Sequence, residues 1–430
     1  MIESTHSARR GWLDRLNNER VFRGMLWLFA LVLLVYVAVP IANALLPGKS
    51  IKDYQLWHDT GLHVLRGEPI YPTPFHKFPF MYPPSCALFL APVSLAGTAS
   101  MVIILVLLAA VAWAACILLS VRLATGEWRR PHLLLYAAPS AIVSVYVWGN
   151  FHLGQPSLVL LASLLGAFVA LQRNRPVSAG ALIAVAAAIK AFPFIAIVYL
   201  VYRRYWLAAA SLVVTLAVLV LILPAPFRGW QQARTDLQRW TEGMLLKYDD
   251  NGMAQRPGRS HSWKNQSIFG VANRLLRHVD YDYQYRPHRA VYTNVADLSF
   301  KAVNRIIIGI ALLFGVAYVA AMPRRSARTV PSDALEFALL LLLMLMFTPL
   351  AFDYLFAFVL FPFTVVVQRL LTAPNKRLLF CGVLAVLLLA LSIPFQRPAQ
   401  GLGNVFFATA LLFVALAIEL AELKRRAVAN

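Results

Sequence analysis

Ten stretches of largely apolar residues recur along the chain, near 22–45, 98–121, 131–150, 155–172, 206–225, 299–322, 333–351, 354–370, 377–394 and 403–422. Crossing about 30 Å of hydrocarbon as a helix takes roughly 20 such residues. A chain that repeats this pattern must lie in a bilayer, where every backbone polar group has to be satisfied internally. The expected fold class is therefore all-α, a polytopic integral membrane protein. Composition agrees: 60% of the 430 residues are hydrophobic, 14% are charged, and mean hydropathy is +0.65. No soluble core of this size needs so much apolar surface.

Between 178 and 204 the apolar run is interrupted by Lys190 and Pro193. Each half is short for a full span, which predicts a broken pair of helices and brings the expected total to about 10–12 transmembrane helices. Basic residues should collect on the cytoplasmic side of the membrane. Placing the N-terminus inside, with Arg9, Arg10, Arg15, Arg20 and Arg23, also puts Arg122/Arg129/Arg130, Arg173/Arg175, Arg203/Arg204, Arg324/Arg325/Arg328, Arg369/Lys376/Arg377 and Lys424/Arg425/Arg426 inside. Both termini are then cytoplasmic, and the polar regions 46–97 and 226–298 share the outer face. The first apolar run is expected to be a retained span and not a cleaved signal. Residues 1–430 form one membrane-embedded domain, with 46–97 a first and 226–298 a large extracytoplasmic loop.

The formal net charge of +21 would suggest nucleic acid in a soluble protein. Here anionic headgroups and topology signalling account for much of it, so membrane lipids are the expected partner. Cys86, Cys116 and Cys381 lie in or beside apolar stretches and are expected to be small core residues.

The polar stretch DYQLWHDTGLHVLRGEPIYPTPFHKFPFMYPP, residues 53–84, carries carboxylates at the membrane boundary, where an acid needs a fixed partner or a chemical task. Asp53 suits a helix N-cap as well as a catalytic base. Asp59 suits a cap or a salt bridge to Arg66, and Asp59-x3-His63 alone is a weak metal signal. His58 neighbours it, and Tyr82 belongs to a Tyr-Pro-Pro entry whose prolines explain it structurally. Gln155 closes an outer turn, WGNFHLGQ. Lys190 either snorkels to the interface or binds phosphate as a point charge. The second outer region offers Lys264, Asn265, Gln266 and Arg274, a basic and amide-rich surface suited to a phosphate, a sugar or headgroups, and its IFGVANRLLRH has the amphipathic spacing of a helix lying on the membrane. Asp353 stands in a third outward break. Asp249-Asp250 is most simply a solvated loop.

Several of these residues occur together in a known order. Asp53 with Trp57, Thr60-Gly61, Leu65, Gly67 and Tyr71, then Phe80 to Pro84, Gly154 to Ser157, Ala179 to Pro193, and Asn265 to Ile268 with Gly270 and Arg274, resemble glycosyltransferase family 87, the polyprenyl-phosphate-sugar-dependent mannosyltransferases of the C-type superfamily. The resemblance implies a GT-C-type fold in a bacterial-type plasma membrane, with the active site extracytoplasmic. It further implies transfer of a hexose, mannose first, from a polyprenyl-phosphate donor to a lipid-linked or glycan acceptor with inversion. By position the catalytic aspartate is Asp53. Inversion needs that base on one face of the sugar while phosphate leaves from the other. Lys190, Arg274 and Lys264 are the expected donor-phosphate ligands. Asp59, His58, Gln155, Asn265, Gln266, Tyr82 and Asp353 are the expected substrate contacts. No cofactor and no metal are called for, since phosphate is already a good leaving group, and no nucleic acid partner is expected. Members of the family often carry Trp then His in the late outer break, where this chain reads Phe352-Asp353-Tyr354, so no histidine role carries over. A lipid or solute transporter, or a non-catalytic polysaccharide-assembly protein, is the alternative class.

Overall fold

The computed structural model describes residues 18–71, 80–128, 132–245, 261–282 and 289–429. Arg9, Arg10, Arg15, Arg129, Arg130 and Asp249-Asp250 lie outside them. The described residues form helices and no strand. In chain order these are α1 (Glu19–Leu45), α2 (Asp53–Leu65), α3 (Pro84–Ser94), α4 (Thr98–Thr125), α5 (Leu134–Leu153), α6 (Ser157–Gln172), α7 (Pro176–Ile189), α8 (Ala196–Tyr202) and α9 (Trp206–Ala217). There follow α10 (Trp230–Trp240), α11 (Ile268–Leu276), α12 (Phe300–Ala321), α13 (Val330–Phe347), α14 (Leu360–Thr372), α15 (Lys376–Ala390), α16 (Gln396–Leu402) and α17 (Asn404–Ala429).

Eight helical stretches among the described residues are long and apolar enough to cross a membrane, so the chain is an all-α, multi-pass membrane protein. They are α1, α4, α5, Trp206–Arg228, α12, α13, Asp353–Thr372 and Asn404–Ala427. Burial sorts them into layers. Only 6% of the apolar window of α1 is buried, with Leu26, Leu28, Leu31 and Leu34 exposed, so it flanks the bundle, whereas α13 and Asp353–Thr372 are 72% buried and form its centre. Phe168 of α6 stacks on Phe337 of α13 at 4.3 Å.

The expected spans at 155–172 and 377–394 form helices of 16 and 15 residues, shorter than a full crossing. Most of α6 is buried in protein and has little lipid to face. The 178–204 stretch breaks as its sequence implies. Lys190 is extended, Phe192–Ile195 is a 3-10 turn around Pro193, and α8 follows. Gly180 lets α7 lie against α9, because a Cβ there would stand 2.2 Å from the Ala208 carbonyl oxygen.

Two expectations change. The segment IFGVANRLLRH is helical as α11, but its Ile268, Val271, Asn273 and Arg274 are buried against protein, packed on α12 and α16, so neither its apolar stripe nor Arg274 is a free surface. Some basic residues read as topology signals are also structural ties. Arg203 pairs with the buried Glu336, Arg328 with Asp333 at 2.7 Å, and Arg369 with Glu419 at 2.7 Å. A buried charge without such a partner would cost several kcal/mol.

Candidate active site

The buried face of α2 is Tyr54, Trp57, Thr60, Gly61 and Val64, the three- and four-residue spacing of one helical stripe. It seats on α3 so closely that a Cβ on Gly61 would stand 2.0 Å from Ser94 Oγ. Two aromatic donors fasten α2 to the C-terminal end of α5. The Tyr54 hydroxyl donates to the Phe151 carbonyl and the Trp57 indole N–H to the Gly154 carbonyl, both at 2.7 Å. Gly154, with φ of 75°, turns the chain out of α5 and sets Gln155 beside the first turn of α2. At the other end of α2, the Arg228 guanidinium donates to the carbonyls of His63 and Glu68, at 3.3 and 2.8 Å. Arg228 pairs with Asp236 at 2.8 Å, and burial still holds that carboxyl above its ordinary range.

Asp53 is the first residue of α2, with Lys52 at the cap position, so the N-cap alternative is not the arrangement observed. Its Oδ2 accepts from Gln155 Nε2 at 2.5 Å, and Gln155 Oε1 accepts from the Tyr82 hydroxyl at 2.8 Å. Tyr82 is held in turn by the Tyr71 hydroxyl, which donates to its carbonyl at 2.6 Å, and by the Trp57 ring at 4.7 Å. Burial raises the Tyr82 phenol well above its ordinary range, so it stays protonated as a donor.

The Tyr-Pro-Pro entry brings this array to Lys190. The Ser85 hydroxyl donates to the Ala188 carbonyl at 2.6 Å, tying the start of α3 to the end of α7. The Lys190 ammonium then lies 5.7 Å from the Tyr82 ring centroid and 5.4 Å from that of Tyr354, within cation–π range. Among the described residues no carboxylate forms an ion pair with it. Tyr354 is fixed from α5, where Asn150 Nδ2 donates to its carbonyl at 2.8 Å.

Tyr82, Lys190 and Tyr354 line a cavity of about 870 Å³, walled by apolar residues of α8, α12 and α13. Its far end is marked by Tyr199, Tyr202 and Tyr318. Tyr318 donates to the carbonyl of Glu336 near the start of α13, while Phe347 at the end of α13 also lines the wall. Eleven helical residues separate those ends, a length of about 16 Å. Phe194 and Val198 on one wall are exposed.

The remaining candidates fall in two groups. Asp59 accepts from Gln55 Nε2 at 2.8 Å and lies 3.4 Å from His58 Nδ1, on the half-exposed side of α2; among the described residues it forms no pair with Arg66. Lys264 lies over the Trp263 ring at 5.3 Å and within Coulombic range of Asp353, whose Oδ1 accepts from the Tyr354 N–H at 2.8 Å. Asn265, Gln266 and Arg274 brace the 261–282 segment from within. Asn265 Oδ1 accepts from the Ala351 N–H at 3.0 Å, and Gln266 donates to the Gln400 carbonyl at 2.8 Å. Arg274, fully buried, donates to the carbonyls of Gly401, Ser262, Asn265 and Gln400 at 2.7 to 2.9 Å. Its guanidinium is thus occupied by backbone and is absent from the cavity lining. Tyr354, Arg228 and Asp236 were not singled out from sequence; the clue for Tyr354 was its place beside Asp353, and the Arg228–Asp236 tie left no local signal.

Among the described residues no three His, Cys, Asp or Glu side chains converge to hold a metal ion. The architecture is that of a membrane-embedded protein with a polar cluster at an apolar cavity. The sequence model of glycosyltransferase family 87 matches residues 80–351, well over half of the chain, and the protein belongs to that family. It is a membrane glycosyltransferase. The matched stretch includes Tyr82, Gln155, Lys190 and Arg274 and begins after Asp53. No curated protein and no solved structure matches the chain.

Proposed function

We propose that the protein transfers a hexose, mannose first, from a polyprenyl-phosphate donor to a hydroxyl of a lipid-linked or glycan acceptor, with inversion at the anomeric carbon. The observation that carries this is the continuity of the Asp53–Gln155–Tyr82 hydrogen bonds and Lys190 with one open apolar cavity. A lipid-phosphate donor has matching halves. Its isoprenoid tail, apolar like the cavity walls, passes from lipid to protein without meeting water, and its phosphate meets a lysine at the head of the same cavity. Asp53 accepts the acceptor proton. Lys190, with Lys264 nearer the outer face, stabilises the dianionic monophosphate that departs, which is where preorganised positive charge acts most strongly. Asp59, His58 and Asp353 flank the acceptor side, and Asn265, Gln266 and Arg274 hold the outer loop over it. The distribution of basic residues supports an extracytoplasmic site formed by 46–97 and 226–298, with both termini cytoplasmic.

The test compares donors in lipid nanodiscs, with polyprenyl-phosphate-mannose offered beside a nucleotide-diphosphate mannose. Transfer from the lipid donor alone is expected, with Lys190→Met raising KM for it at least ten-fold and Lys190→Arg partly restoring it. Transfer from the nucleotide donor would overturn the reading.

A further inference from the structure

The Gln155 amide bridges two groups that the proposed reaction uses at opposite faces of the sugar. Its direction follows from the chemistry of its neighbours. An ionised carboxylate only accepts hydrogen bonds, so the NH2 must face Asp53, the amide oxygen must face Tyr82, and the Tyr82 hydroxyl must donate. Gln155 and Tyr82 are only 6% and 5% exposed, so bulk water is a poor substitute partner for either. The far end of this chain, Tyr82, lines the donor cavity beside Lys190. The polarity of the whole array is therefore set by the charge on Asp53.

We propose that Gln155 is a positioning residue that couples the base to the leaving group, releasing the Tyr82 hydroxyl toward the departing phosphate when Asp53 takes up the acceptor proton. This rests on Asp53 as base and on a lipid-phosphate donor. In the chemical step the acceptor O–H loses its proton to the Asp53 carboxylate, and the acceptor oxygen bonds to the anomeric carbon. The bond from that carbon to the phosphate oxygen breaks, and its electron pair stays on the phosphate. Asp53, now a neutral acid, carries an O–H and has to donate. A half-turn of the Gln155 amide lets its oxygen accept from that O–H and turns its NH2 toward the Tyr82 oxygen. Tyr82 has then lost its own acceptor, and its O–H is redirected to the phosphate oxygen that has just gained charge. One proton moves, from acceptor to Asp53, and Tyr82 keeps its own. The array thus offers its strongest donor to the leaving group only once the base has been protonated, which is stabilisation confined to the transition state and product.

Three variants in nanodiscs test this, assayed for kcat and KM with polyprenyl-phosphate-mannose across pH, with melting temperatures taken in parallel. Tyr82→Phe keeps the ring over Lys190 and removes only the hydroxyl; kcat is expected to fall about 10- to 100-fold with KM within about two-fold. Gln155→Glu is isosteric and puts a second carboxyl against Asp53. The two then share a proton, and the acidic limb of kcat/KM moves to higher pH by about one unit or more. The moved limb reports the contact with Asp53, and the fall in kcat of Tyr82→Phe reports its reach to the leaving group; a merely structural Gln155–Tyr82 pair would leave kcat of Tyr82→Phe at the wild-type value. An unmoved limb, or wild-type kcat in Tyr82→Phe, overturns the coupling. Wild-type turnover in Asp53→Asn instead overturns the base assignment beneath it. Should Gln155→Glu melt early, Tyr82→Phe carries the test alone.

Discussion

Replacing Arg274 by Met separates two roles that the sequence left open for this residue. Its guanidinium meets four carbonyls, Ser262 and Asn265 in the 261–268 segment and Gln400 and Gly401 in α16, and no solvent reaches it. Methionine fills similar volume and donates nothing. The Ser262 and Gln400 carbonyls keep the Asn265 N–H and the Gln266 amide as donors, so the loss falls on those of Gly401 and Asn265, at about 1 to 3 kcal/mol each, or about 2 kcal/mol at the low end. That is a large share of the roughly 5 to 15 kcal/mol that holds a typical domain together. The segment 261–268, which Arg274 ties to α16, should open first. The expected result in detergent is a melting temperature lowered by many degrees, early cleavage by protease in the outer loop, and activity lost in step with folded protein. Arg274→Lys, with donors on one nitrogen only, should fall between. A variant Arg274→Met melting within about 2 °C of wild type, but with KM for the donor raised, would refute the bracing role and return Arg274 to the phosphate.

Two further outcomes follow from the same contacts. Gly61→Leu drives a side chain into Ser94 Oγ and the Leu90 carbonyl oxygen, 2.0 and 3.0 Å from the new Cβ, and should cost about 1 to 3 kcal/mol while displacing Asp53; pairing Gly61→Ala with Ser94→Gly should recover both stability and turnover relative to Gly61→Ala alone, and no recovery would show that the contact is not the cause. Burial, helped by Arg277 and Arg274, pushes the His261 imidazole from 6.5 down to about 4. The unfolded chain therefore binds the extra proton between those values, so this contribution to stability is complete above about pH 6.5 and is lost as pH falls toward 4, by about 3 kcal/mol. His261→Gln should flatten the melting-temperature profile across that window, and an unchanged slope would contradict it.

How much was legible in the sequence depended on range. Helices announce themselves locally, through runs of apolar residues, and the break at Lys190 and Pro193 was legible because proline cannot continue the ladder. Asp53, Gln155, Tyr82 and Lys190 could each be named from residue type and position. Their connection could not, because Gln155 reaches Asp53 across 102 residues of chain, and only the docking of α2 on the end of α5 brings them together. Arg274 shows the opposite failure. A basic residue on an amphipathic helix looks available to an anion, and nothing local reveals that four carbonyls from two separate segments close around it. For the same reason α11 reads as a surface helix from its spacing, although its polar side faces a protein interior that is itself polar. Tyr354 was passed over because the neighbouring Asp353 draws attention by its charge, whereas the ring that completes the pair about Lys190 is recognisable only once the turn at Asp353–Val359 docks on α5.

The most direct measurement is label transfer from radiolabelled polyprenyl-phosphate-mannose to membrane lipids by purified protein, with wild type beside Asp53→Asn. Labelled product from wild type, and its loss in an Asp53→Asn protein that melts normally, is the result this account predicts. Undiminished transfer by Asp53→Asn would contradict the base, and no transfer by wild type from any polyprenyl-phosphate hexose would contradict the donor.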